Sequence, residues 1–137
     1  MSNEIATQNK ATVSIIDGYS SITGDDFEAR SRVFKAVSDA KSLSDVLDKP
    51  LNIVDIIVQP VTVENEETGE VDGYLRTTLI DAQGNAHTTG SAGVASAVKN
   101  MLDIFGQPAG WPKGGLAVKV VERKGNKGYK FFTIIPA

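Results

Sequence analysis

A mainly β fold with one helix set inside its strand order is what this sequence of 137 residues predicts. Three observations predict it. Beyond the first fifty residues, five runs have the β-branched and alternating character of strands. The clearest helical pattern, Ser91 to Phe105, falls after the third run and before the fourth. Short glycine-bearing segments, Asp81 to Asn85 and Lys124 to Gly128, join neighbouring runs as hairpin turns would. A sheet interrupted once, after its third strand, by one helix has the order of the OB-fold, a small five-stranded barrel that mainly holds single-stranded nucleic acid or oligosaccharides. The expected architecture is an OB-fold-like five-stranded barrel with a helix between strands 3 and 4, plus an N-terminal strand–helix extension.

The central helix justifies itself residue by residue. Ser91 can accept from the first free backbone N–H groups, and Gly106 has no Cβ to oppose a C-terminal cap. Val94, Val98, Met101, Leu102 and Phe105 make one apolar stripe, with Lys99, Asn100 and Asp103 opposite. The stripe suits a plug closing the end of a barrel.

The rest of the chain follows in order. Residues 1–10 are polar and aperiodic, and a flexible arm is expected there. Residues 11–137 are expected to form one domain, 11–50 as the extension and 51–137 as the barrel. Ala11 to Ile16 reads as a strand closed by the turn Asp17-Gly18, with a short return strand near Tyr19 to Thr23. Asp25 opens a helix reaching about Ala40, with Glu28 completing a capping box and Phe27, Val33, Phe34 and Val37 as its apolar face. Ser42 caps a short turn carrying Leu43, Val46 and Leu47, which Lys49-Pro50 ends.

Leu51 to Glu64 is the longest β-rich run, with an edge or bulge expected at Pro60. An acidic loop follows from Asn65 to Asp72. Tyr74 to Ile80 alternates, with Leu75, Thr77 and Leu79 on the core face and Tyr74, Arg76 and Thr78 outside. Ala86 to Thr89 is the third strand. After the helix comes a Gly/Pro-rich loop holding Trp111, then the strands Leu116 to Arg123 and Tyr129 to Ile135.

Composition narrows the function. There is no cysteine, so disulfides, thiolate metal sites and cysteine nucleophiles are excluded. No apolar run approaches the ~18 residues of a membrane span, and the first residues hold no apolar signal core. A cytoplasmic protein is expected. The net charge of −3 conceals a split, +5 over residues 106–137 against −8 over the remainder. A positive patch on a negative body can still attract a polyanion. The lone His87 has no G-x-S-x-G neighbour, and the glycines near Trp111 form no phosphate-binding loop. The acidic loop lacks the spacing of a calcium site. No catalytic residue, cofactor or metal is expected.

What remains is aromatic and basic residues interleaved on strands. Leu116, Val118, Val120, Phe132 and Ile134 suit a core face, which would leave Tyr129 and Phe131 outside with Lys119 and Arg123. Alternation alone leaves open which of Phe131 and Phe132 looks inward. Lys124, Lys127 and Lys130 surround the turn, and Tyr74 with Arg76 repeats the pairing on the second strand. Trp111 either caps the barrel or stacks on a base. Single strands require this chemistry: bases lie on aromatic rings while Lys and Arg follow the phosphates.

The chain resembles the small single-stranded DNA-binding proteins of protein-primed phages that infect Gram-positive bacteria. Val118-Lys119-Val120-Val121, Lys127-Gly128 and Phe131-Phe132 carry the resemblance, with a weaker likeness from Leu79 to Leu102. In layout it covers Lys10 to Ile135. It implies an OB-type barrel that binds displaced or replicating single strands without sequence preference, with Lys119, Lys127 and Phe131 at the binding surface. The helix Asp25 to Ala40 and the Trp111 loop depart from that pattern. With no acidic tail after Ile135, coating rather than recruitment is expected, with self-association along the strand. Stacking and phosphate contacts do not read the 2′-hydroxyl, so RNA stays open beside DNA. Two rivals also stay open: an assembly module using the acidic region, and a small enzyme using His87 with nearby carboxylates.

Overall fold

A computed structural model describes residues 15–137. The expected N-terminal arm and most of the strand Ala11 to Ile16 lie outside the described residues. The described elements are strand β1 (Tyr19–Ser20), helix α1 (Phe27–Asp39), β2 (Lys41–Ser42), β3 (Pro50–Glu64), β4 (Val71–Asp81), β5 (Ala86–Thr89), helix α2 (Ala92–Phe105), β6 (Leu116–Lys124) and β7 (Lys130–Pro136). Single 3-10 turns stand at Leu43–Val46 and Pro108–Gly110.

The protein is mainly β, a curled half-barrel sheet with two helices. The sheet runs β2-β5-β4-β3-β6-β7, and β1 adds to β3. The five strands expected for the barrel are present as β3 to β7, and the sheet has seven strands in all. The difference comes from the N-terminal segment, whose β1 pairs antiparallel with Ile57 and Val58 and whose β2 pairs parallel with His87 and Thr88. β2 takes the outer edge of β5. Between β5 and β7 stands α2 rather than a ladder of hydrogen bonds.

β3 is the spine. Its first half pairs with β6 from Pro50 to Ile53, and β4 follows it from Ile53 to Glu64. The register slips between Ile53 and Asp55. The bulge thus falls near Val54, while Pro60 stays in register opposite Leu75 and, beyond the pairings with β1 and β6, lies on a free edge of the sheet, the other expected possibility. The extra residue shifts the alternation so that Ile53 shares a face with Ile56 and Val58, while Ile57 points the other way.

Two apolar layers result. The larger lies inside the curl, where Leu43, Ile53, Ile56, Leu79, Val98, Leu102, Val118 and Val120 are buried. The smaller lies outside, where Ile22, Ile57 and Ile80 meet Val33, Ala36 and Val37 of α1. Val33 and Val37 of the expected apolar face thus pack inward, and the expectation is corrected for the two phenylalanines. Phe27 and Phe34 are 86% and 72% exposed, and the helix contacts the sheet through smaller side chains. The cap is Asp26 rather than Asp25, its carboxylate accepting from the Ala29 N–H at 2.8 Å.

α2 matches its sequence pattern closely. Ser91 Oγ accepts from the Val94 N–H, and Gly106, with φ +76°, donates to the Leu102 carbonyl. Val94, Ala95, Val98, Met101 and Leu102 are buried in the curl. Phe105, the last residue of the expected stripe, is exposed because it lies past the edge of the core.

Candidate nucleic-acid interface

Register decides which side chains share a surface. Across β6 and β7, Lys119 lies opposite Ile135, Val121 opposite Thr133 and Arg123 opposite Phe131. These residues share the face opposite the core, on which Val121 is buried and Arg123 is exposed. Val120 lies opposite Ile134 and Glu122 opposite Phe132, on the side that packs against the core. Phe132 is therefore the inward ring, and Phe131 stands beside Arg123 on the outer face. Tyr129 follows at the turn, its ring centroid 6.3 Å from that of Phe131. Lys124 and Lys130 are direct partners, but on the Phe132 side. The basic residues thus wrap both faces of the hairpin tip. Two like charges in register oppose each other, and a polyanion would relieve them.

On β4, Tyr74 and Arg76 lie opposite Val61 and Gln59. The Arg76 guanidinium donates to the Tyr74 hydroxyl at 3.4 Å, a long contact. Among the described residues none of Arg76, Lys119, Arg123, Lys124, Lys127 and Lys130 forms an ion pair. Their charge is available to a ligand.

Two glycines bring the halves together. A Cβ on Gly90 would stand 3.0 Å from the Tyr74 ring, so that ring lies against bare backbone. A Cβ on Gly93 would collide with the Phe132 carbonyl oxygen and stand 3.3 Å from the Phe131 ring. Gly90 and Gly93 are three residues apart, at most about 11 Å of chain. Tyr74 from β4 and Phe131 from β7 therefore converge on the N-terminal end of α2, although 57 positions separate them in sequence.

Trp111 stands apart from this surface. It is 8% exposed, packs in the inner core and donates its indole N–H to the Gly106 carbonyl at 2.9 Å. Its ring caps the core, and it is left out of the interface.

His87 is buried against Asp81, with Nε2 to Oδ2 at 3.0 Å. The other Asp81 oxygen accepts from the N–H groups of Gln83 and Asn85. Burial would raise the Asp81 pKa. The His87 hydrogen bond, the two backbone bonds and the attraction of His87 outweigh it and hold the carboxyl below its ordinary value. The pair clasps the β4–β5 turn. Among the described residues no group of three or more His, Cys, Asp or Glu stands ready for a metal ion. A groove of about 730 Å³ runs between α1 and the sheet, but its Arg32 and Lys35 already face Asp55 and Asp39.

Residues 11–135 match the family model described as phage single-stranded DNA-binding protein. The chain belongs to that family. No curated protein and no solved structure matches it. The family is one of single-stranded DNA-binding proteins. Membership agrees with the resemblance carried by residues 118–132, most of which lie on β6 and β7. Among the described residues no helix is long and apolar enough to cross a membrane.

Proposed function

We propose that this phage single-stranded DNA-binding protein is a non-catalytic coat for single strands exposed during replication or transfer of its element, acting in the host cytoplasm. One observation carries the reading: Tyr74 lies against Gly90 and Phe131 against Gly93, three residues on, with Arg76 and Arg123 beside them. Bases stack on the rings and phosphates follow Arg76, Lys119, Arg123 and the lysines of the β6–β7 turn. Nothing in such contacts reads a base edge, so sequence preference is weak. The strand order β5-β4-β3-β6-β7 supports an OB-like barrel left open between β5 and β7.

A labelled oligo(dT) titration tests this, with duplex DNA and single-stranded RNA alongside. The expected result is tight binding of single strands that weakens steeply as salt rises. Absence of oligo(dT) binding at low salt would end the proposal. The acidic β3–β4 hairpin, with Glu64, Glu66, Glu67, Glu70 and Asp72, favours a second reading as an assembly module. A captured protein partner together with no affinity for DNA would decide for it.

A further inference from the structure

The two exposed phenylalanines of α1 remain outside the surface described so far. Phe27 and Phe34 are seven positions apart, two turns of helix, so they share one face about 10 Å from ring root to ring root. Arg30 lies between them on that face, with Ser31 and Ser38. Arg30 has no carboxylate partner among the described residues. Arg32 and Lys35, by contrast, face Asp55 and Asp39. The acidic residues of the helix, Glu28 and Asp39, fall off the phenylalanine face at 3.6 residues per turn. Two rings with an unpaired guanidinium between them, on a face without carboxylates, repeat the chemistry of the β-sheet surface.

We propose that the outward face of α1 is a second contact for the same single strand. This rests on the proposed function. The position of α1 supports it. α1 packs over Ile80, on the outer face of β4. Thr78, Arg76 and Tyr74 continue along that face, about 20 Å from Ile80 to Tyr74. A strand leaving the Tyr74–Phe131 site along β4 reaches α1. A second copy of the chain is the weaker occupant. Two phenylalanines contribute at most about 500 Å², short of the ~800 Å² per partner that a stable interface needs.

The test compares wild type with a Phe27→Ala, Phe34→Ala double variant on oligo(dT) of about 8 and about 30 nucleotides. The phenylalanines are exposed and alanine favours helix, so the variant should fold, with circular dichroism as the check. At least tenfold weaker binding of the long oligonucleotide, with the short one unchanged, is expected. Equal binding of both lengths by wild type and variant would overturn the inference while leaving the proposed function standing. Failure of wild type to bind either length would instead overturn the proposed function. A Phe34→Trp variant adds a direct readout. Its fluorescence should be quenched by the long oligonucleotide and not by the short one. No quenching, or a change in sedimentation of the free double variant with its DNA affinity intact, would assign the face to protein contacts.

Discussion

Gly93→Ala sets two physical effects against each other. Alanine is the better helix former by about 1 kcal/mol, so propensity alone predicts stabilisation of α2. Packing predicts the opposite. The added methyl would fall inside the Phe132 carbonyl oxygen and stand 3.3 Å from both the Phe132 carbonyl carbon and the Phe131 ring. Two of those neighbours are backbone atoms of β7, which cannot rotate away. Restoring ordinary contact distances requires α2 and β7 to separate by about 1 Å or more. Overpacking of this kind costs about 1–3 kcal/mol, more where backbone must move. A net loss of about 2 kcal/mol is therefore expected, read as a lower urea midpoint at unchanged slope. Oligo(dT) affinity should fall as well, because the Phe131 ring moves with β7. A variant as stable as wild type, or more so, would refute the close approach of α2 and β7 and with it the convergence of Tyr74 and Phe131.

Further expectations follow from the same contacts. Gly90→Ala crowds only a side chain, at 3.0 Å from the Tyr74 ring. Its urea midpoint should hardly change while oligo(dT) binding weakens by less than the ~1–3 kcal/mol expected of Tyr74→Ala. Replacing Lys119, Arg123 and Lys127 together by glutamine should reduce the slope of log affinity against log salt by about 2, near 0.7 for each phosphate released. Trp111→Ala should cost about 3–5 kcal/mol of stability, with oligo(dT) affinity of the folded fraction retained. Asp81→Asn should destabilise by about 1–3 kcal/mol at neutral pH. The Asp81 carboxyl is held below the ordinary aspartate value of about 3.9, so its contribution is complete above that pH and lost as pH falls beneath it. Wild type and Asp81→Asn should therefore converge in stability in strong acid, which pH-dependent urea titrations would check.

How much was legible in the sequence varied with the kind of signal. α2 could be read almost to the residue because its caps and its buried stripe are local, all within Ser91 to Gly106. The hairpin β6–β7 could be read up to its faces, and only the register Arg123–Phe131 decided that Phe131 looks outward. α1 departs from its sequence pattern in a physically instructive way. Its largest apolar residues, Phe27 and Phe34, dominate the periodicity, but the layer above Ile57 and Ile80 is filled by Val33, Ala36 and Val37. Size in the pattern did not mean burial. β2 gave no signal, since two residues at the edge of β5 have no period. Trp111 had two readings that only the depth of its pocket and its bond to Gly106 could separate. The meeting of Tyr74 and Phe131 depends on the curl of the whole sheet, which no local pattern encodes.

The central claim is that a single strand lies across the N-terminal end of α2, between Tyr74 and Phe131. Photocrosslinking measures this directly. An iodouridine-substituted oligonucleotide is bound, irradiated and mapped by mass spectrometry of the crosslinked peptides. Crosslinks at Tyr74 and Phe131 are predicted, weakened together when salt is raised. Crosslinks confined to other surfaces, with neither ring labelled under saturating DNA, would contradict it.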